Sequence, residues 1–131
     1  MTGERAEVVR RAHDALNAGD VDGLIALCSP GFRLDMSDRV FNPAVYEGAE
    51  GIRAFYAEVL EVWERFSWEP IGLTEVDDTI VADLRSRGLT RGSAMEIDRR
   101  CAMVWRVEDG RATSLTFFRD PDAAREAAAG Y

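Results

Sequence analysis

The feature that most constrains this chain is a change in its hydrophobic period part-way along. Val8, Val9, Ala12, Ala15 and Leu16 recur at helical spacing, with Glu4, Arg5, Glu7, Arg10, Arg11 and Asp14 mainly off that stripe. Gly19 can adopt the left-handed backbone that ends a helix cheaply, and Asp20 can cap the next one. The spacing therefore predicts two packed helices meeting at a tight corner. The second carries Val21, Leu24, Ile25, Leu27 and Cys28 and stops at Ser29-Pro30-Gly31. Phe32 to Met36 alternates and reads as a strand, followed by a loop containing Asn42-Pro43. Ala49 to Phe66 reads as a long helix, its wide apolar stripe carrying Ile52, Phe55, Tyr56, Val59, Leu60, Val62 and Trp63.

From Trp68 onward the period is two. Strands are predicted over Trp68–Val76, Thr79–Arg87, Ala94–Val107 and Arg111–Arg119. Asp77-Asp78 and Gly88–Gly92 connect them, and Glu108-Asp109-Gly110 reads as a type I turn with Gly110 left-handed. Asp120-Pro121, a cap followed by proline at the first helical position, opens a short Ala-rich helix. Helices first and antiparallel strands afterwards mean α+β. Residues 1–131 are long enough to bury a sufficient core and read as one domain.

Charge narrows the partners. The chain carries net charge −8, and every basic residue is an arginine. An acidic surface disfavours nucleic acid and anionic membrane as partners, and the absence of lysine removes Schiff-base chemistry. Cys28 and Cys101 stand alone in apolar surroundings and read as buried thiols, and His13 is the single histidine, so neither a metal site nor a cofactor is expected. His13 has a pKa suited to a general base. It has no carboxylate partner nearby in sequence, though, and reads as a packed or surface residue. No apolar run reaches membrane-span length, and the N-terminal residues lack a secretion signature, which sets a cytoplasmic expectation.

Strand alternation sorts the sheet faces. Ile80, Ala82 and Leu84 share one face, as do Ile97, Cys101, Met103 and Trp105 in the partner strand. Matching apolar to apolar sets Leu84 opposite Ile97 and Ile80 opposite Cys101, with Arg85 across from Glu96. Arg99 then falls on the apolar face, and Thr113, Leu115, Phe117 and Arg119 continue it. Two guanidiniums on one concave face need an anion between them, Asp35, Asp120 or a bound acid. The alternative is that both lie at a rim with their heads in water. On the opposite face, Ala102, Val104, Thr116 and Phe118 form a strip suited to a homodimer.

Several motifs taken together resemble the nuclear transport factor 2-like superfamily, and within it the SnoaL-like, polyketide cyclase-like proteins. They are Leu16-Asn17-Ala18-Gly19-Asp20 between the opening helices, Asp35-Met36-Ser37, Tyr46-x-Gly48, Arg91-Gly92-Ser93, Val104-Trp105 and Phe118-Arg119-Asp120. The resemblance implies a cystatin-like cone in which a curved antiparallel sheet wraps the long helix around an apolar pocket, commonly in a dimer. The superfold hosts cyclases, isomerases, epoxide hydrolases and plain binding modules.

The resemblance to ketosteroid isomerases does not extend to their catalytic groups: Ala12, Met36 and Ala102 or Met103 stand where a tyrosine and two aspartates are needed. A SnoaL-like cyclase needs one carboxylate in an aromatic cavity. Asp35, or in second place Asp38, could serve, although Asp35 also fits an ordinary strand-end ion pair. The resemblance and the face assignment together give Asp35 and Arg99 as the expected catalytic residues, with Tyr46, Tyr56, Trp63, Met103, Trp105, Phe117 and Arg119 expected around a small hydrophobic organic substrate. The functions it leaves open are acid–base chemistry of the cyclase or isomerase kind, a non-catalytic binding or dimerisation module, and epoxide hydrolysis. Epoxide hydrolysis would need a second inward carboxylate.

Overall fold

A computed structural model describes residues 2–39, 43–92 and 95–129; Asn42, Ser93 and Ala94 lie outside the described residues. Helix α1 (Thr2–Ala18) and helix α2 (Val21–Ala26) meet at the expected corner. Gly19 has φ of +74°, and the Asp20 carboxylate accepts a hydrogen bond from the Gly23 backbone N–H at 3.0 Å, so one residue ends a helix and the next caps its successor. Strand β1 (Cys28–Asp35) follows, then a three-residue strand β2 (Val45–Glu47) within the stretch read as a loop, then helix α3 (Gly48–Val62).

Helix α3 ends four residues before the expected end at Phe66. Trp63 takes an extended backbone and begins strand β3 (Trp63–Val76). The cause is distant in sequence. The Arg91 backbone N–H donates to the Val62 carbonyl at 3.0 Å and the Arg91 guanidinium to the Leu60 carbonyl at 2.6 Å, satisfying carbonyls that the last helical turn leaves open. Strands β4 (Thr79–Thr90), β5 (Glu96–Glu108) and β6 (Arg111–Phe118) and helix α4 (Pro121–Ala129) complete the order. The β5–β6 turn is a two-residue loop in which Asp109 and Gly110 both have positive φ, 52° and 76°. That is the type I′ geometry that matches strand twist, and it replaces the type I turn expected.

The described strands form a six-stranded sheet in the order β2-β1-β6-β5-β4-β3. It is mixed rather than wholly antiparallel, because β1 runs parallel to β6. The β4–β5 hairpin keeps its predicted faces but not its predicted register: Leu84 lies opposite Cys101 and Ile80 opposite Trp105. The shift is four residues, an even number, so every side chain stays on its face. Arg85 consequently sits across from Arg100 and reaches diagonally to Asp98, with guanidinium–carboxylate distances of 2.9 and 2.6 Å. That bidentate pair holds the Asp98 carboxyl below its usual range.

One face of the sheet packs Ile80, Leu84, Met103, Trp105 and Leu115 against Val9 and Leu16 of α1, Leu24 of α2 and Ile52, Phe55 and Val59 of α3. The other face carries a second apolar cluster, Val81, Ala102 and Val104 against Ala124 and Ala128 of α4. Arg125 ties that helix to β4 through Asp83 at 2.9 Å and also pairs within the helix with Asp122 at 2.8 Å. The expected dimer strip is therefore corrected: α4 of the same chain covers Ala102 and Val104, both buried, while Thr116 and Phe118 are half-buried. No helix among the described residues is long and apolar enough to cross a membrane.

Candidate functional site

A cavity of about 380 Å³ opens between the C-terminal half of α3 and the concave side of β3, β4, β5 and β6. Val59, Trp63, Phe66, Trp68, Ile97, Cys101, Phe117 and Met36 supply its apolar wall, and Ser86 and Gly88 line it from β4. Alternation explains the β4 contribution, since Ser86 and Gly88 continue the inward face of Ala82 and Leu84. Gly88 is needed there for space. A Cβ at that position would lie 2.8 Å from two ring carbons of Trp63, so the glycine lets the indole lie flat on the strand.

The polar part of the lining is entirely basic apart from Ser86. Arg39, Arg87, Arg99, Arg100 and Arg119 border the cavity, and among the described residues no aspartate or glutamate does. Arg99 shares the inward face of Ile97 and Cys101 and is exposed at the mouth, opposite Ser86 in the ladder. Arg119 borders the cavity from just past the end of β6. Its backbone N–H donates to Asp38 at 2.9 Å and its guanidinium to the same carboxylate at 3.5 Å. Arg39 lies over the Phe55 ring, 5.5 Å from its centroid, and donates to the Tyr46 hydroxyl at 3.1 Å. Arg87 and Arg100 occupy outer-face positions of their strands and border the cavity from there.

Of the residues expected at the site, Trp63, Arg99, Phe117 and Arg119 line this cavity, whereas Asp35, Tyr46, Tyr56, Met103 and Trp105 do not. Asp35 belongs to the face opposite Phe32, Leu34 and Met36, all buried. It accepts hydrogen bonds from the backbone N–H and hydroxyl of Ser37 and lies 3.9 Å from Arg33. The Asp120 carboxylate is likewise occupied, accepting from the Asp122 N–H at the start of α4. Asp38, not Asp35 or Asp120, is the carboxylate beside the arginines.

Tyr46 stands behind Arg39, its hydroxyl donating to Glu58 at 2.8 Å; burial first, then that carboxylate, raises its pKa. Tyr56 packs against Phe66 from behind, with ring centroids 5.7 Å apart, and burial raises its pKa too. Met103 and Trp105 sit deeper, around an apolar void of about 10 Å³ that also touches Phe32, Leu34, Met36 and Phe55. That space holds at most about one water molecule, so the inner end of the fold is packed shut.

His13, at the same depth, is fully buried. Its Nε2 accepts a hydrogen bond from the Trp105 indole N–H at 3.1 Å, and its Nδ1 has no well-aligned partner. Burial lowers its pKa to about 4, with the Trp68 backbone opposing the shift. It is a neutral core group and does not line the cavity. Cys101 does line it, and burial pushes its thiol up to about 12, as it does that of Cys28. Among the described residues no cluster of three or more histidine, cysteine or carboxylate side chains could hold a metal ion.

Opening helices that cover one face of a mixed six-stranded sheet, with a cavity left beside a long third helix, define the nuclear transport factor 2-like, cystatin-like class of α+β proteins. Within that class the chain belongs to the SnoaL-like domain family, whose model matches residues 9–115. No curated protein sequence matches it. Among solved structures it is similar to TerC co-crystallised with polyporic acid, at 19% identity over 95% of this chain and 98% of that one, with a TM-score of 0.80. It is also similar to a nuclear transport factor 2-like protein of unknown function from Burkholderia pseudomallei, at 20% identity, covering 94% and 95%, with a TM-score of 0.79. A provisionally named SnoaL-like polyketide cyclase from Jannaschia sp. CCS1 shares 24% identity, covering 98% and 94%, with a TM-score of 0.77. At these identities the likeness is one of fold.

Proposed function

We propose that this SnoaL-like protein holds a flat, largely apolar organic molecule of the cyclic or polyketide type in the cavity beside α3. The observation that carries the reading is the wall itself: Trp63, Phe66, Trp68 and Phe117 around about 380 Å³ of space open to solvent. That volume lies within the roughly 300–1,000 Å³ typical of small-molecule sites, and aromatic walls with few polar groups are their usual lining. The co-crystallisation of TerC with polyporic acid supports a small organic ligand for this fold.

Proton-transfer catalysis of the cyclase or isomerase kind is the weaker reading, because it needs an ionisable acid–base group facing the ligand. Asp35 points away, His13 is sealed in the core, and the groups that do border the space are guanidiniums, which stay charged at all working pH. Epoxide hydrolysis lacks its inward carboxylates for the same reason. Binding is thus the function best supported. A homodimer is not part of the proposal, since α4 occupies the strip it was expected to use.

The test is titration with N-phenyl-1-naphthylamine, a neutral probe whose emission rises in apolar sites. The parent protein should bind about one molecule per chain. Ser86→Trp, which fills the cavity from β4, should abolish binding while leaving the circular dichroism spectrum unchanged. Absence of saturable binding by the parent defeats the proposal.

A further inference from the structure

The charge around the cavity runs against the charge of the chain. The protein carries net charge −8, yet five arginines and no described carboxylate border this one space. Guanidiniums gathered at one mouth repel one another, weakly where they are exposed to water and salt. Two of the three at inward or mouth positions have that repulsion reduced from behind. Asp38 accepts from Arg119, and the Tyr46 hydroxyl, backed by Glu58, accepts from Arg39.

Arg99 differs. Among the described residues no carboxylate pairs with it, although Arg85, one strand away on the outer face, is held bidentately by Asp98. Asp98 thus lies among Arg85, Arg87 and Arg100 on the outer face, while Arg99, inward on β5, has no ion pair among the described residues. Directly across the ladder from Arg99 stands Ser86, a hydroxyl donor facing the same space.

Resting on the reading of the cavity as an apolar-ligand site, we propose that its ligand is an organic acid. Its aromatic body lies against Trp63, Phe66 and Phe117, and its anionic group, a carboxylate or an ionised ring hydroxyl, is held by Arg99 with Ser86 and Arg119 beside it. A guanidinium presents a planar fork of donors that matches a carboxylate bidentately. The anion also offsets the repulsion among the arginines. A neutral molecule of the same shape gains the aromatic contact and leaves that repulsion in place.

The experiment compares two probes with one skeleton. 8-Anilinonaphthalene-1-sulfonate carries an anionic group on the same ring system that N-phenyl-1-naphthylamine presents without charge. The parent protein should bind the sulfonate at least about tenfold more tightly than the neutral probe, the scale of one charge-assisted hydrogen-bonded contact. Added sodium chloride should weaken the sulfonate and leave the neutral probe unaffected. Arg99→Met keeps the apolar stem. It should lower sulfonate affinity by about tenfold and neutral-probe affinity by less than about twofold. Arg99→Lys should restore much of the loss by returning the charge. Arg99 is exposed, so these variants leave the core untouched.

Equal affinity of the parent for the two probes overturns the organic-acid proposal while the cavity reading stands. Equal weakening of both probes by Arg99→Met also overturns it, because the arginine would then be acting as wall rather than as charge. Failure of the parent to bind either probe removes both readings together.

Discussion

Protonation of His13 should set the acid limit of this fold. The imidazole is fully buried, and its Nε2 accepts from Trp105, a donor-only group that cannot accept a proton in return. Charging the ring therefore breaks a buried hydrogen bond and places an uncompensated cation in the core. Its pKa falls from 6.5 to about 4 in the folded protein. The sign follows from linkage. Between those values the unfolded chain binds a proton that the folded chain refuses, so stability is fully present above about pH 6.5 and is lost as the pH falls toward about 4. Integrating between about pH 7.5 and about pH 5 gives a loss of roughly 2 kcal/mol from this one group. At a urea dependence of about 1–3 kcal/mol/M, the unfolding midpoint moves by on the order of 1 M.

Urea titrations at both pH values, on the parent and on His13→Gln, isolate the effect. The glutamine carbonyl can accept from Trp105 but does not titrate, so the variant should lose about 2 kcal/mol less than the parent over the same interval. Because His13 is the single histidine, its ring resonances also report directly by NMR. They should stay close to those of a neutral imidazole down to about pH 5. Identical acid losses in parent and variant, or a resonance titrating near its ordinary value, would refute the reasoning.

Four further outcomes are expected. Ala124→Glu places a carboxylate in the dry contact between α4 and the sheet, where Ala124 is fully buried beside Val81, Ala102 and Val104. It should cost about 3 kcal/mol in thermal or urea unfolding and, by lifting α4, promote self-association visible in sedimentation. Gly88→Val pushes a Cβ into Trp63, so the indole must move; weaker neutral-probe binding and an altered tryptophan emission spectrum should follow. Both thiols, with pKa values pushed up to about 12, should react slowly with Ellman's reagent near neutral pH in the folded state and quickly in urea. Asp35→Asn should leave the affinities of both probes unchanged, since that carboxylate faces Ser37 and Arg33 rather than the cavity.

The parts of this structure legible in the sequence are those governed by local spacing. The Gly19-Asp20 corner, the inward faces of β4, β5 and β6, and the Asp120-Pro121 start of α4 all follow from rules that reach only a few residues. Features set by distant partners were hidden. The end of α3 depends on Arg91 from another turn, and β2 is three residues long and visible only through its pairing with β1. The register of β4 on β5 was misread because Gly88-Leu89-Thr90 looks like loop. In the fold Gly88 is a strand residue kept bare for Trp63. The placement of Asp35, by contrast, was readable. The alternation that turns Phe32, Leu34 and Met36 inward turns Asp35 outward, the same rule that correctly placed Arg99. Nothing local marks Arg39, which reaches the cavity only because the chain after β1 folds back beside α3.

What the cavity can do follows from how the interior is divided. Trp105, Phe32 and Met36 fill the inner end until only about 10 Å³ remains, and the polar group at that depth, His13, is locked to Trp105 and uncharged. Open space beside the C-terminal half of α3 lies at the outer end, where the strands emerge and several bordering side chains are long arginines. A proton shuttle in a fold of this kind gains its tuned pKa from depth, because burial is what moves a carboxylate toward working pH. Here depth is occupied by packed hydrocarbon and indole, and charge is confined to the mouth. A ligand entering this space meets aromatic faces along its body and guanidiniums at its solvent end. Guanidiniums are donors only, so the groups bordering this space are suited to pairing with an anion rather than to accepting a proton.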